Sequence, residues 1–240
     1  MVAEALERVR RRIGEAARRA GRDPGGVRLI AVTKGVAVPH IEEALAAGVT
    51  DLGENRVQEA VTKQAALAAW GRAGGGRPSA LRWHMIGHLQ RNKAKLAVEM
   101  FDMLHSADSA ELIRALDLHR GALQLGRPLE LLVEVNVSGE ETKHGCKPEE
   151  AQGLAEEILR SKNLRWTGLM TMAPHSEEPG AARPHFRKLR ELRDALRREL
   201  AVSGEAGLHL SMGMSGDFEV AVEEGATMVR IGTAIFGERQ

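Results

Sequence analysis

Apolar and polar positions along this chain switch between periods of about 3.6 and about 2 residues, in regular alternation. Residues 2–20 place Ala5, Leu6, Val9, Ile13, Ala16 and Ala17 on one helical face with arginines opposite, and Gly21 follows as a stop. Asp23-Pro24-Gly25-Gly26 then turns into VRLIAVTK, residues 27–34, whose β-branched content predicts a strand buried on both faces. A period of two puts Lys34 on the side of Ile30 and Val32. A helix over 39–47 stops at Gly48.

The unit repeats. Strand 50–55 ends at Asn55 and precedes a helix over 56–70; strand 81–87 precedes a helix over 92–98. Strand 100–108 leads to a helix over 109–125, strand 129–137 to one over 148–161, and strand 164–174 to one over 185–200. The stretch 208–238 reads as strand, Gly/Ser turn, helix over 218–224, strand, and a second turn at Gly232-Thr233. Eight strands, most followed by a helix, predict an α/β fold with a parallel sheet, closed as a (β/α)8 TIM barrel behind an extra N-terminal helix. No shift of composition divides the chain, so residues 1–240 form one domain. An open doubly wound sheet is the runner-up, but no GxGxxG turn follows the first strand. The loop 71–80 is Gly-rich without GK[ST] and reads as a linker.

Composition narrows the function. The net charge is +1 and charges are well mixed, which leaves no basic stripe for nucleic acid. Four Phe, three Trp and no Tyr remove the stacking platforms of single-strand binders. Apolar runs fall short of a membrane span, and the first residues lack a signal peptide's apolar region, so a cytoplasmic protein is expected. One cysteine, Cys146, excludes an internal disulfide and any CxxC pair.

Only 8 of the 34 basic residues are lysines. Where arginine is so preferred, a lysine at a special position does what arginine cannot, and only lysine forms a Schiff base. Lys34 ends the first strand, and barrel closure puts that strand beside the eighth, which carries Arg230 in an apolar run. The small-residue turns around Ser215 and Gly232-Thr233 offer N–H groups and hydroxyls to an anion. Lysine, phosphate cradle and buried arginine on one rim suggest pyridoxal 5′-phosphate (PLP); a sugar phosphate on a Schiff-base aldolase competes.

Other signals are weaker. His84 and His88 lie four apart, but on a strand end and without HExxH, so no metal is assigned. Lys143, His144 and Lys147 beside Cys146 are of the kind that lower a thiol's pKa, yet a plain loop cysteine is favoured. The Arg-rich helix over 185–200 reads as a solvated outer face, and Glu134 and Asn136 as polar groups of the barrel or its mouth.

AVTK at 31–34, GEN-x-VQE at 53–59, WHMIGHLQRNK at 83–93, VNVSGEETKHG at 135–145, GLMTMAP at 168–174 and SMGMSGDFEVAVEEGATMVRIGTAIFGER at 211–239 together resemble the PLP homeostasis proteins, the YggS/PROSC family. The resemblance covers nearly the whole chain and implies a barrel like the alanine racemase N-terminal domain. It implies that Lys34 forms the internal aldimine with PLP and that Arg230 faces the pyridine nitrogen. Ser211, Met212, Ser215, Gly232 and Thr233 match the phosphate-holding turns, and Asn55 a residue lining the cofactor. Gly35 departs from the pattern, where a polar residue is expected, and predicts a looser loop.

The resemblance also implies a monomeric regulator that stores PLP and passes it to PLP-dependent apoenzymes, without catalytic turnover. An arginine at the pyridine nitrogen leaves the ring a poor electron sink. Racemases of this fold add a tyrosine as second base, and this sequence has none. A weak amino-acid racemase, or the aldolase, is the alternative. Whether Lys143 serves as a second landing site for PLP stays open.

Overall fold

A computed structural model describes residues 1–75, 81–202 and 208–238 of the protein. Its strands are β1 (Arg28–Val32), β2 (Asp51–Glu54), β3 (Arg82–Met85), β4 (Met103–Ala107), β5 (Leu129–Glu134), β6 (Leu164–Met170), β7 (His209–Ser211) and β8 (Met228–Ile231). All pair in parallel in sequence order, and β1 closes the barrel on β8 with Ile30 opposite Arg230. The helices are α1 (Val2–Arg19), α2 (Val38–Ala46), α3 (Val57–Trp70), α4 (Ala94–Met100), α5 (Ala110–Ala122), α6 (Ala151–Arg160), α7 (Arg183–Glu199), α8 (Phe218–Glu223) and α9 (Thr233–Phe236). The expected fold is therefore the observed one.

Period-two alternation builds two cores. Residues such as Ala31, Leu52, Leu131, Val133, Leu169, Val229 and Ile231 face outward and pack against the helices. Ile30, Met103, Leu132, Met170 and Met228 form a small fully buried cluster inside the barrel. Polar side chains share that interior: His84, His105, Glu134, Ser211 and Arg230 are all buried. At the amino-terminal ends, Glu130 joins Arg82 and Arg165, while Arg28 lies 3.6 Å from Asp51.

Gly168 makes one irregularity possible. It sits at φ 143° where the β5–β6 register shifts, and a Cβ there would stand 2.0 Å from the His209 carbonyl oxygen. No side chain fits between β6 and β7 at that level.

Outside the barrel, α1 buries Leu6, Val9 and Ile13 against the helical layer, each worth roughly 1.5–3 kcal/mol. Arg12 fixes its position, with Nε and Nη2 donating to Glu219 at 2.9 and 2.8 Å and the guanidinium 4.7 Å over the Phe218 ring. On α7, Arg187, Arg197 and Arg198 are exposed, in keeping with a solvated face, and Arg183, Arg187 and Arg190 converge on the buried Glu224. Of the 71–80 loop, Gly71–Gly75 winds on from α3, and the rest of the linker lies outside the described residues, as does Arg239 at the end of the last motif.

Candidate functional site

A cavity of about 330 Å³ opens at the carboxyl ends of the strands. Lys34, Asn55, Ser215, Arg230, Gly232 and Thr233 line it, with Val32, Ile86 and Met172 as apolar wall and His175 and Asp217 at its edge. Ser211 and Met212 are absent from that lining. Successive strand residues face opposite ways, so Ser211 turns into the barrel beneath the cavity while Met212 packs outward into the main core.

Lys34 sits second in a four-residue turn closed by the Val36 N–H donating to the Thr33 carbonyl at 2.8 Å. Gly35 is third, with φ 70°, the position where a type II turn demands a left-handed residue. The expected looseness is not found, because the Gly35 N–H donates to Glu59 Oε1 at 2.6 Å. Lys63, 6% exposed, donates through its ammonium to the Thr33 carbonyl at 2.5 Å and to Glu54 and Glu59 at 2.6 Å each. The Thr33 hydroxyl donates to Glu54 at 2.6 Å.

Across the cavity, Met214 to Asp217 form a tight turn in which the Met214 N–H donates to Asp217 Oδ1 at 2.6 Å. Burial pushes the Asp217 carboxyl up, with that hydrogen bond and Arg230 opposing. Thr233 opens α9, an element the sequence pattern showed only as a turn, and the Ala234 N–H donates to the Ser215 hydroxyl at 3.2 Å. Two turns distant in sequence are thereby joined into one small-residue shelf.

Among the described residues no carboxylate contacts Arg230. Nη1 donates to the Ser211 hydroxyl at 2.6 Å and Nη2 to the Thr171 carbonyl at 2.9 Å. Burial lowers its pKa to about 10, with Glu134 and Asp217 opposing, so it stays charged at neutral pH. Ser211 leads on to His105 Nδ1 at 2.8 Å, His105 Nε2 to His84 Nδ1 at 3.0 Å, and His84 Nε2 to Asp51 Oδ1 at 2.9 Å. This chain runs from the cavity toward the far end of the barrel. Sequence reasoning weighed His84 only as a metal ligand and missed His105, Asp51 and Lys63. Their signal was a polar residue at an inward strand position, or a lysine on the apolar stripe of an arginine-rich protein's helix.

Glu134 is buried beneath the mouth; burial, reinforced by Asp108 and opposed by Arg230, pushes its carboxyl up to about 7. Asn136 caps the following loop, accepting from the Gly139 N–H at 3.0 Å and donating to the Glu140 carbonyl at 2.8 Å. Cys146 is buried rather than activated: burial, with Glu150 and Asp108 adding, pushes its thiol up to about 12. His88 and His84 do not meet. Instead His88 Nδ1 lies 3.1 Å from Asp108, and its ring stacks on His144 with centroids 4.0 Å apart and planes 7° from parallel. The ligating atoms of these three residues lie within 4.8 Å of one another, but parallel rings send their in-plane lone pairs side by side, whereas a bound ion needs them convergent. They clasp the loops after β3, β4 and β5.

Residues 5–240 match the family model of the alanine racemase N-terminal domain. A pyridoxal phosphate homeostasis protein of Aquifex aeolicus is 46% identical over 237 residues, 99% of this chain and 98% of that protein. The chain belongs to the pyridoxal phosphate homeostasis protein family. A Pseudomonas aeruginosa member is 44% identical over 238 residues, covering 99% of this chain and 96% of that one. Among solved structures of the family's fold, PipY of Synechococcus elongatus with PLP bound superposes with a TM-score of 0.81 at 35% identity, covering 99% of this chain and all of that one.

Proposed function

We propose that this family member binds PLP in the cavity between Lys34 and Arg230 and serves intracellular PLP homeostasis as a reversible holder of the cofactor. One observation carries the reading: a single cavity joins one primary amine, one buried guanidinium and one shelf of small residues, the three chemistries that an aldehyde, a pyridine nitrogen and a phosphate require. The donor set therefore fits the cofactor. Bound there, PLP supplies an aldehyde that condenses reversibly with amines.

In this reading Lys34 presents the amine, and the Ser215 and Gly232-Thr233 turns receive the phosphate. Asn55, Val32 and Ile86 flank the ring. Arg230, charged at neutral pH, donates an N–H toward the ring nitrogen and so keeps that nitrogen unprotonated. An unprotonated ring withdraws electrons weakly, and the sequence has no tyrosine to act as second base, which favours holding over turnover. The reading includes a single-domain monomer in the cytoplasm that yields PLP to apoenzymes. No helix among the described residues is long and apolar enough to cross a membrane.

The test is purified protein mixed with PLP. A visible absorbance and a borohydride-trapped mass increase located at Lys34, both lost in Lys34→Ala, support the reading; a wild-type protein that takes up no PLP overturns it. Loss of optical rotation on incubation with L-alanine would replace the holder with a racemase.

A further inference from the structure

Thr33, Glu54 and Glu59 bring a carbonyl and two carboxylate oxygens to one point, and Lys63 Nζ occupies it at 2.5–2.6 Å from all three. An ammonium has three N–H bonds on one atom and matches three convergent acceptors one to one; a guanidinium spreads its donors over a planar fork. Each acceptor also leads to the turn that carries Lys34. The Thr33 carbonyl closes that turn by accepting from Val36, Glu54 accepts the Thr33 hydroxyl, and Glu59 accepts the Gly35 N–H. Burial pushes the Glu54 carboxyl up, against Lys63 and Thr33, while the Lys63 and Gly35 hydrogen bonds overcome burial to hold Glu59 down.

We infer that Lys63 is a positioning residue for Lys34, clamping the turn on both sides so that the Lys34 amine is held toward the cavity. The inference rests on the PLP-binding reading. Nothing in it makes Lys63 touch the cofactor, and Lys63 does not line the cavity. A buried ion pair serving stability alone is often replaceable as a whole by apolar side chains, and asks of its cation charge rather than three donors on one atom. A clamp, in contrast, needs the three donors on one atom.

Two measurements separate these roles. The first is hydrogen exchange of the Gly35 amide in PLP-free protein; the second is the rate at which a borohydride-reducible bond forms to Lys34 when PLP is added. Lys63→Met is expected to speed Gly35 exchange about tenfold and to slow bond formation about tenfold, because a misplaced reactant loses most of its advantage. Lys63→Arg restores a charge without the geometry and is expected to stay slow. Wild-type behaviour of Lys63→Arg in both measurements, or of a folded Lys63→Met, overturns the clamp. If Lys63→Met does not fold, Glu59→Ala decides: faster exchange and slower bond formation support the clamp, and unchanged values overturn it. Wild-type protein that fails to bind PLP at all defeats the function proposed above, while the Gly35 measurement still reads the clamp.

Discussion

His105 Nε2 lies 3.0 Å from His84 Nδ1 inside the barrel, and the hydrogen between them belongs to His105. The neighbours force that assignment. Asp51 accepts, so His84 Nε2 carries its ring's hydrogen and His84 Nδ1 is the acceptor. At the other end Arg230 can only donate, so the Ser211 oxygen accepts from it and the Ser211 hydrogen points to His105 Nδ1. Burial pushes both imidazoles toward their neutral forms, as this pattern requires. Every hydrogen bond from Arg230 to Asp51 therefore points the same way, and the orientation of Arg230 depends on groups far from the cavity.

Breaking that chain in the middle is costly. His105→Phe strands a hydroxyl hydrogen and an imidazole nitrogen in a buried interior, an expected loss of about 2–6 kcal/mol in urea denaturation, taking ~1–3 kcal/mol for each unsatisfied group. His84→Phe/His105→Phe is expected to lose less than the sum of the singles, because the two share one network.

If PLP sits as proposed, Arg230→Glu replaces the donor at the ring nitrogen by an acceptor. Protonation of that nitrogen is expected to change the absorbance of bound PLP. Affinity is expected to fall about 10–100-fold, the range for a hydrogen bond to a charged group. An unchanged spectrum and affinity would place Arg230 away from the ring.

Glu134 makes stability pH-dependent. Its carboxyl is raised from 4.5 to about 7 by burial, so between those values the folded protein keeps a proton that the unfolded chain releases. That contribution is complete below about pH 4.5 and is lost as pH rises through about 7, by at most on the order of 3 kcal/mol. Glu134→Gln cannot ionise and is expected to flatten this part of the profile, read as urea midpoints of PLP-free protein from pH 4.5 to 8.

Gly168→Ala is expected to be among the most damaging single-methyl additions. The new Cβ meets the His209 backbone at 2.0 Å, and backbone has no rotamer to yield. Loss of soluble protein, or at least about 3 kcal/mol, is expected. Gly180→Ala, exposed with nothing within 4 Å of a Cβ, is the control and is expected to stay within about 0.5 kcal/mol.

Much of the candidate site was legible in sequence, and for local reasons. Lys34, Asn55, Ser215, Gly232 and Thr233 follow strand ends, and a strand end is announced by its own residues. Arg230 was conspicuous as a charge in an apolar run. The same parity failed for Ser211 and Met212, the last residue of β7 and the one after it, which face opposite ways.

What the sequence by itself determined was the alternation of periods, hence eight β/α units, and the rim on which a lysine and a shelf of small residues stand. Only the tertiary structure decided that Ile30 pairs with Arg230, that Lys63 grips the turn of Lys34, and that a one-way chain of hydrogen bonds crosses from Arg230 to Asp51. Side-chain periodicity is a property of a few neighbouring residues. Partnership across a closed barrel depends on strand register and closure, which join residues as far apart as His105 and Ser211 and leave no mark on either local pattern.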